Sequence, residues 1–272
     1  MRCTMHTRTS RIIGIERTLP KGFIVVIALL FAASAIVTLA WCSSMADMEG
    51  LPMRGGWTLA MAWMRMPGQT WAGVTAPLLG MWSVMTAAMM LPSLTPTLWR
   101  HYRTEIDRAH SHPWRSTALV GAAYFAVWIT LGLLVVPVGL ALAWLAMAMP
   151  PLSRAVPLAI GIVALLAGLL QFTAWKQRSL ACCRTCMMDA PGGLRHAWRH
   201  GLRHGLHCVR CCAGLTLILL AWGMMDVRAM VLVTIAITAE RWASSPLPMV
   251  RAIGATAMVA GLLMIARATG FA

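Results

Sequence analysis

The 272-residue sequence has little charge, and very little of that charge is acidic. Only 11% of the residues are charged, and 8 Asp and Glu stand against 23 Lys and Arg. Since a soluble domain usually carries about 25% charged residues, this composition excludes a globule with an ordinary water-facing surface. With 59% apolar residues, the chain is predicted to be an integral membrane protein that has the lipid bilayer as its surroundings.

The sequence also lacks the motifs of the common enzyme classes. It contains no paired-carboxylate site, no phosphate-binding loop and no nucleophilic serine motif, so conventional hydrolase or kinase chemistry is not visible. The net charge of +15 would suggest nucleic acid in a soluble protein. In a membrane protein, basic residues gather at one face and set the topology, and no nucleic-acid partner is expected.

Long apolar runs are what the sequence has in place of charge. Seven runs approach the roughly 20 residues that a membrane-spanning helix needs. They lie at 22–42, 76–99, 118–147, 156–175, 211–225, 229–239 and 250–266. The predicted fold class is therefore all-α, a polytopic transmembrane bundle of about seven spans, forming one domain over 22–267 after a basic tail, 1–21. Because the fifth and sixth runs are short, 211–239 could instead form one irregular span, which would give six spans.

The basic residues predict the orientation of the chain. Most of them lie in the tail 1–21 and in the segments 100–115 and 176–210. Only five fall on the opposite side of the predicted spans: Arg54, Arg65, Arg154, Arg228 and Arg267. Since Lys and Arg are in excess in cytoplasmic loops, the N-terminus is predicted to be cytoplasmic.

Methionine is unusually frequent, with 22 residues. An outer loop, 43–75, is rich in Met and Trp, and its segment WTLAMAWMRMPGQTW is predicted to form a short helix in the membrane interface. In the second span, four methionines form a stripe of helical spacing with one neighbour: Met81, Met85, Met89 and Met90. Thioethers suit Cu(I), although the stripe could equally be a helix-packing face. Pro92 and Pro96 are expected to kink or end this helix.

Cysteines cluster in a cytoplasmic loop, 176–208, and at its end. Two Cys-x2-Cys pairs have neighbouring cysteines, and the set comprises Cys182, Cys183, Cys186, Cys208, Cys211 and Cys212. Two such pairs at this separation are typical of a tetrahedral zinc site. Structural disulfides are not expected in a reducing cytoplasm. A thioredoxin-like role is disfavoured because the sequence has no βαβ unit.

Histidines alternate with arginines between the two cysteine pairs. The histidines are His196, His200, His204 and His207. If this segment is helical, the first three share a face with metal-ligand spacing. The alternative is a basic amphipathic segment that contacts anionic headgroups.

A resemblance to a known family rests on several strings that occur in this order, among them MWSVMTAAMMLPSLTP, AGLLQFTAWKQRSLACCR, GLRHGLHCVRCCAGL and GMMDVRAMVLVTIAITAER. They resemble a bacterial family of metal-binding integral membrane proteins, long catalogued as a domain of unknown function. The matching positions are Trp82, Met85, Met89, Met90, Pro92, Gln171, Lys176, Cys183, Arg184, Gly201, Gly205, Cys208, Cys211, Cys212, Gly223, Met225, Met230 and Glu240. The chain departs from the family pattern at Ser179, where a cysteine is usual, at Ala213 and at Arg241.

The resemblance implies a multi-pass protein of the bacterial inner membrane that holds a metal ion, with copper favoured and zinc possible. The leading hypothesis is copper binding, transport or delivery through Met and Cys ligands, with a metal chaperone or metalloenzyme as the expected partner. Two alternatives stay open: a membrane-bound metal-dependent oxidase or oxidoreductase subunit, and a structural zinc scaffold. The residues favour a protein that is not an enzyme over one that is, and they do not indicate its oligomeric state.

Overall fold

Helices account for nearly all of the fold. The structure, a computed structural model, describes residues 21–46, 50–65, 68–107, 112–184, 193–243 and 245–270. Within these ranges the helices are α1 (Lys21–Ala46), α2 (Trp71–Asp107), α3 (Pro113–Ala148), α4 (Pro150–Gln171), α5 (Ala174–Arg184), α6 (Leu194–Trp222), α7 (Val227–Trp242) and α8 (Pro246–Thr269). All except α5 and α7 are long and apolar enough to cross a membrane. The predicted class, an all-α multi-pass membrane protein, is confirmed.

The segment 211–239 is not one irregular span. Helix α6 ends before Gly223, whose φ of 128° suits only glycine well, and the chain then turns. Asp226 caps the next helix, since its carboxylate accepts hydrogen bonds from the backbone N–H groups of Arg228 and Ala229. With 16 residues, α7 is about 24 Å long, which is shorter than the roughly 30 Å of a bilayer's hydrocarbon core.

The helix that carries the second cysteine pair begins much earlier than its apolar run. Hydropathy places the start of this span at residue 211, but α6 begins at Leu194. The His-Arg repeat therefore forms the first half of a long helix rather than a loop. As a result, Cys208, Cys211 and Cys212 lie in the middle of α6, inside the bundle.

Helix α2 does not end at its prolines. It continues through Pro92 and Pro96 to Asp107. The hydroxyls of Ser93 and Thr95 donate to the carbonyls of Met90 and Leu91, at 3.0 and 2.7 Å. Because proline has no backbone N–H, this stretch of α2 has fewer backbone donors. The two hydroxyls supply donors to carbonyl groups there.

The Met- and Trp-rich segment between α1 and α2 does not form the predicted interfacial helix. It contains an antiparallel hairpin of β1 (Leu51–Met53) and β2 (Trp57–Leu59), followed by a 3-10 turn, Met61–Trp63. The indole N–H of Trp57 donates to the carbonyl of Ser153 at 2.9 Å, and the Ser153 hydroxyl donates to the carbonyl of Arg54 at 2.9 Å. These two bonds fasten the hairpin to the start of α4.

Helices α4 and α8 cross closely and run antiparallel. Gly161 lies against Gly261, and Gly168 lies against Gly254. A Cβ atom on Gly261 would lie 2.8 Å from the carbonyl oxygen of Gly161, so the two backbones touch as small residues allow in membrane helices. The main buried cluster lies elsewhere, among α2, α3, α6 and α7, and it contains the cysteines and the methionine stripe.

Candidate metal centre

Four cysteines from two helices converge inside the bundle. Cys183 comes from α5, and Cys208, Cys211 and Cys212 come from consecutive turns of α6. All four are free and at most 6% exposed. The Sγ atoms of Cys208 and Cys212 lie 3.9 Å apart, and those of Cys211 and Cys212 lie 3.7 Å apart. Cys183 of the first pair thus meets both members of the second pair, Cys208 and Cys211, and the adjoining Cys212.

These sulfur separations suit a shared soft metal ion. A metal–sulfur bond of about 2.3 Å places two sulfurs about 3.8 Å apart around a tetrahedral ion and about 4.0 Å apart around a trigonal one. As they stand, however, no three His, Cys, Asp or Glu side chains in the described part of the chain complete a metal site. Each of the two Sγ–Sγ distances suits a bound metal ion, but a third sulfur would have to move closer to complete the coordination.

The guanidinium of Arg241, at the end of α7, lies against the sulfurs. Its Nη2 donates to the Sγ of Cys183 at 3.1 Å and lies 3.8 Å from the Sγ atoms of Cys211 and Cys212. Its Nη1 donates to the hydroxyl of Ser93 on α2, at 3.2 Å. This role is not visible in the sequence, because a charged pair at the end of an apolar helix ordinarily marks the interface.

A buried ion pair supports the centre from the other side. The Lys176 ammonium donates to a carboxylate oxygen of Glu240 at 2.7 Å and to the carbonyl of Cys211 at 2.7 Å. The side-chain amide of Gln171 donates to the second Glu240 oxygen at 2.8 Å. Both charges are almost completely buried. Since breaking a buried pair leaves an uncompensated charge, this network fixes α4, α5 and α7 against the middle of α6.

The surroundings of Cys183 favour its protonated thiol over the thiolate. Its hydrogen bond with Cys211 and its burial raise the pKa of the Cys183 thiol well above the ordinary value. The thiol therefore stays protonated at neutral pH unless another cation replaces its proton. Because a metal binds the thiolate, a metal ion bound at Cys183 would displace this proton.

The four histidines of α6 divide into two pairs. His200 and His204 are buried in the bundle, whereas His196 and His207 are partly exposed. His204 lies one turn before Cys208, and its ring is 5.5 Å from that of Tyr124, whose hydroxyl lies 2.9 Å from the Sγ of Cys208. Within the described part of the chain, neither ring nitrogen of His204 has a hydrogen-bond partner. His204 is therefore a buried histidine one turn from a cysteine of the centre, and among the described residues both of its ring nitrogens are unpaired.

The methionine stripe of α2 lies in the same buried cluster as the cysteines. All of its four members are buried: Met81, Met85, Met89 and Met90. Met89 lies one helical turn before Ser93, the residue that binds Arg241. The spacing of 12 residues from Met81 to Ser93 corresponds to about 18 Å along the helix. The thioethers thus form a line through the bundle that ends beside the sulfur centre.

One family model matches the chain. The model is described as PpoB2, copper chaperone, and it matches residues 79–264. This range is more than half of the chain and includes the methionine stripe and all four converging cysteines. The chain belongs to the PpoB2 copper chaperone family. No curated protein and no solved structure matches it.

Membership of the PpoB2 family accords with the resemblance found in the sequence. The polar positions carried by that resemblance, Gln171, Lys176 and Glu240, are in contact with one another. The description of the PpoB2 family favours copper handling over catalysis and implies copper binding with delivery to a target. The identity of the target and the ligands of the copper ion are not part of that description.

Two cysteines predicted as ligands in this PpoB2 family member are not among the four free thiols of the centre. Cys186 lies outside the described residues. Cys182 is disulfide-bonded, contrary to the expectation that no cysteine of this region forms a disulfide, and so it does not offer a thiol. Among the described cysteines of this cluster, four are free thiols that converge: Cys183, Cys208, Cys211 and Cys212.

Proposed function

We propose that this protein binds Cu(I) at the sulfur centre formed by Cys183, Cys208, Cys211 and Cys212 and holds the ion for delivery across or from the membrane. The convergence of four free, buried thiols around one guanidinium is the observation that carries the proposal. Membership of a copper chaperone family supports the metal.

The donor set fits Cu(I) better than hard or borderline ions that prefer oxygen or nitrogen. Thiolate and thioether ligands are soft and select Cu(I), zinc and iron–sulfur clusters. Two or three thiolates around Cu(I) leave a net negative charge, and Arg241 offsets it from within hydrogen-bonding distance. His204 is available as a neutral ligand one turn from Cys208.

The methionine stripe is the proposed route of the copper ion between the start of α2 and the sulfur centre. Met81, Met85 and Met89 succeed one another at intervals of one helical turn, about 6 Å, and all are buried. Neutral thioethers suit a passage through the bilayer because a charged ligand at that depth would be strongly disfavoured. The packing of these methionines in the core remains compatible with this role, because Met side chains are flexible.

The direct test is metal binding by the detergent-purified protein. We expect wild type to retain copper after Cu(I) is added in the presence of a competing chelator, and the double variant Cys208→Ser, Cys211→Ser to lose it. Elemental analysis measures both. Cys42→Ser is the matched control, because Cys42 is also a free and buried thiol but lies on α1 outside the centre, and it should bind as wild type does.

The same measurement separates the alternatives. Equal copper content in wild type and the double variant would contradict the proposal. One tightly held zinc per chain that Cu(I) does not replace would favour a structural zinc scaffold, since four cysteines are also a common zinc set.

A further inference from the structure

A second group of thioethers surrounds a cavity at the opposite end of the bundle from the cysteines. The cavity has a volume of about 290 Å³ and lies between α1, the 3-10 turn, the start of α2 and the chain that follows α6. Five methionines line it: Met45, Met61, Met64, Met81 and Met225. They come from four separate segments, so no single helical period in the sequence brings them together.

The segment that supplies two of these methionines is held in place. The hairpin is hydrogen-bonded to the start of α4 through Trp57 and Ser153. Trp63, at the end of the 3-10 turn, packs so closely on α3 that a Cβ on Gly139 would overlap its ring. Met61 and Met64 flank this anchor, so the fold holds their backbone beside the cavity that they line.

The chemistry of the lining selects a narrow class of ligand. Among the described residues that line the cavity, none carries a charge and none is Cys or His. The Met sulfur is neutral and has no proton to lose when it binds a metal ion, and thioethers are soft ligands of Cu(I). Hard cations and anions find no charged ligand in this described lining, where the one amide side chain, that of Gln69, is neutral. Met81 belongs both to the cavity and to the stripe, and therefore connects the two.

From this arrangement we infer that the cavity is a second binding site, an all-thioether site that takes Cu(I) before it passes to Met81 and the stripe. The inference rests on the proposed handling of Cu(I) and extends it, because Met45, Met61 and Met64 lie outside the 79–264 range that defines the family match. The three rotatable bonds of each Met let several sulfurs converge on one ion, although the cavity is larger than the ion.

The test follows the methionine methyl groups directly. The full-length protein in detergent, labelled with ¹³C at the Met methyls, is titrated with Ag(I), a soft monovalent ion that does not change oxidation state. After the thiolates are saturated, we expect further Ag(I) to shift the methyl signals of Met45, Met61, Met64 and Met81. Because thioethers carry no proton, the affinity of this step should be equal at pH 5.5 and pH 7.5, unlike that of the thiolate step. Zn(II) should leave these methyls unmoved.

Two triple variants give the matched comparison. Met45→Leu, Met61→Leu, Met64→Leu should abolish the second Ag(I) step and the shift at Met81. Met147→Leu, Met149→Leu, Met249→Leu removes three exposed methionines elsewhere and should leave both unchanged. Loss of the step in both variants, a shift with Zn(II), or cavity methyls that move no more than those of Met147 and Met249 would overturn the inference.

The outcome for the cavity is distinguishable from that for the cysteine centre. If the cavity methyls do not respond while Cys208 and Cys211 still hold copper, the second site falls and the proposed function stands. If the methyls respond in a protein whose cysteines hold no copper, the proposed function falls and the thioether site stands.

Discussion

Among the described residues, Arg241 is the cation that donates to a sulfur of the centre. Its guanidinium bonds to Cys183 and lies near Cys211 and Cys212. A guanidinium is permanently charged and offers several donors in a planar fork. It can therefore stabilise the negative charge of a copper–thiolate complex without competing for the metal as a ligand.

Arg241→Gln should weaken Cu(I) binding about 10- to 100-fold, since hydrogen bonds to charged groups contribute about 1.5–3 kcal/mol. Arg241→Lys should weaken it less, because the charge remains and only the fork is lost. Competition against a Cu(I) chelator measures both affinities. Arg228→Gln, at the exposed start of the same helix, is the control. Unchanged affinity in Arg241→Gln would show that the guanidinium has no electrostatic role.

The residues of the centre were predictable to different degrees. Cys208, Cys211 and Cys212 stand out because their spacing is visible along one helix. The partnership of Arg241 with Ser93 was not predictable, since 148 residues separate them in sequence and a charge at the end of an apolar run ordinarily faces the interface. The Met81–Met89 stripe was visible as a period, but its meeting with the cysteines required the packing of α2 against α7.

At the scale of elements, two glycines set the distance between α3 and α6. Gly201 and Gly205 lie one turn apart on the buried face of α6. A Cβ on Gly205 would lie 2.9 Å from the side chain of Val127, and one on Gly201 would overlap the carbonyl of Val120. This close approach is what brings Tyr124 of α3 to the Sγ of Cys208.

Gly201→Ala should therefore push the two helices apart. We expect it to destabilise the protein by about 1–3 kcal/mol, the usual effect of overpacking, and to weaken metal binding because Tyr124 and Cys208 separate. Unfolding of the detergent-solubilised protein by a denaturing detergent measures the first effect. Gly22→Ala is the control, since a Cβ there meets nothing within 4 Å. If both variants unfold alike, close α3–α6 packing is not what positions the site.

The elements themselves were predictable where apolar residues dominate and less so elsewhere. Each apolar run corresponds to a helix, because burial in lipid requires it. The first half of α6 was interpreted as a loop because its His-Arg repeat is polar, although its inner face is Ala197, His200, Gly201 and His204. The hairpin before α2 was missed because its two strands have only three residues each, too few for a recognisable alternation.

At the scale of the whole molecule, the close crossing of α4 and α8 determines which segments lie at the same end of the bundle. The pairs Gly161–Gly261 and Gly168–Gly254 run in opposite directions along the two helices. The end of α8 therefore lies at the same end of the bundle as the start of α4, where Ser153 holds the hairpin. The methionine cavity lies at this end, and the start of α1 lies at the other, where Phe23 packs on Trp99 and Tyr102 near the end of α2.

Combined with the excess of basic residues in the tail and in 100–115 and 176–210, this arrangement predicts that the C-terminus and the hairpin share the outer side of the membrane. An epitope inserted at Gly56, where a Cβ would meet nothing, and one added after Ala272 should both be accessible in spheroplasts without permeabilisation. A tag before Met1 should become accessible only after permeabilisation. If the C-terminal tag behaves like the N-terminal one, then α7 does not return the chain through the bundle and α8 ends on the cytoplasmic side, which would contradict the antiparallel crossing of α4 and α8.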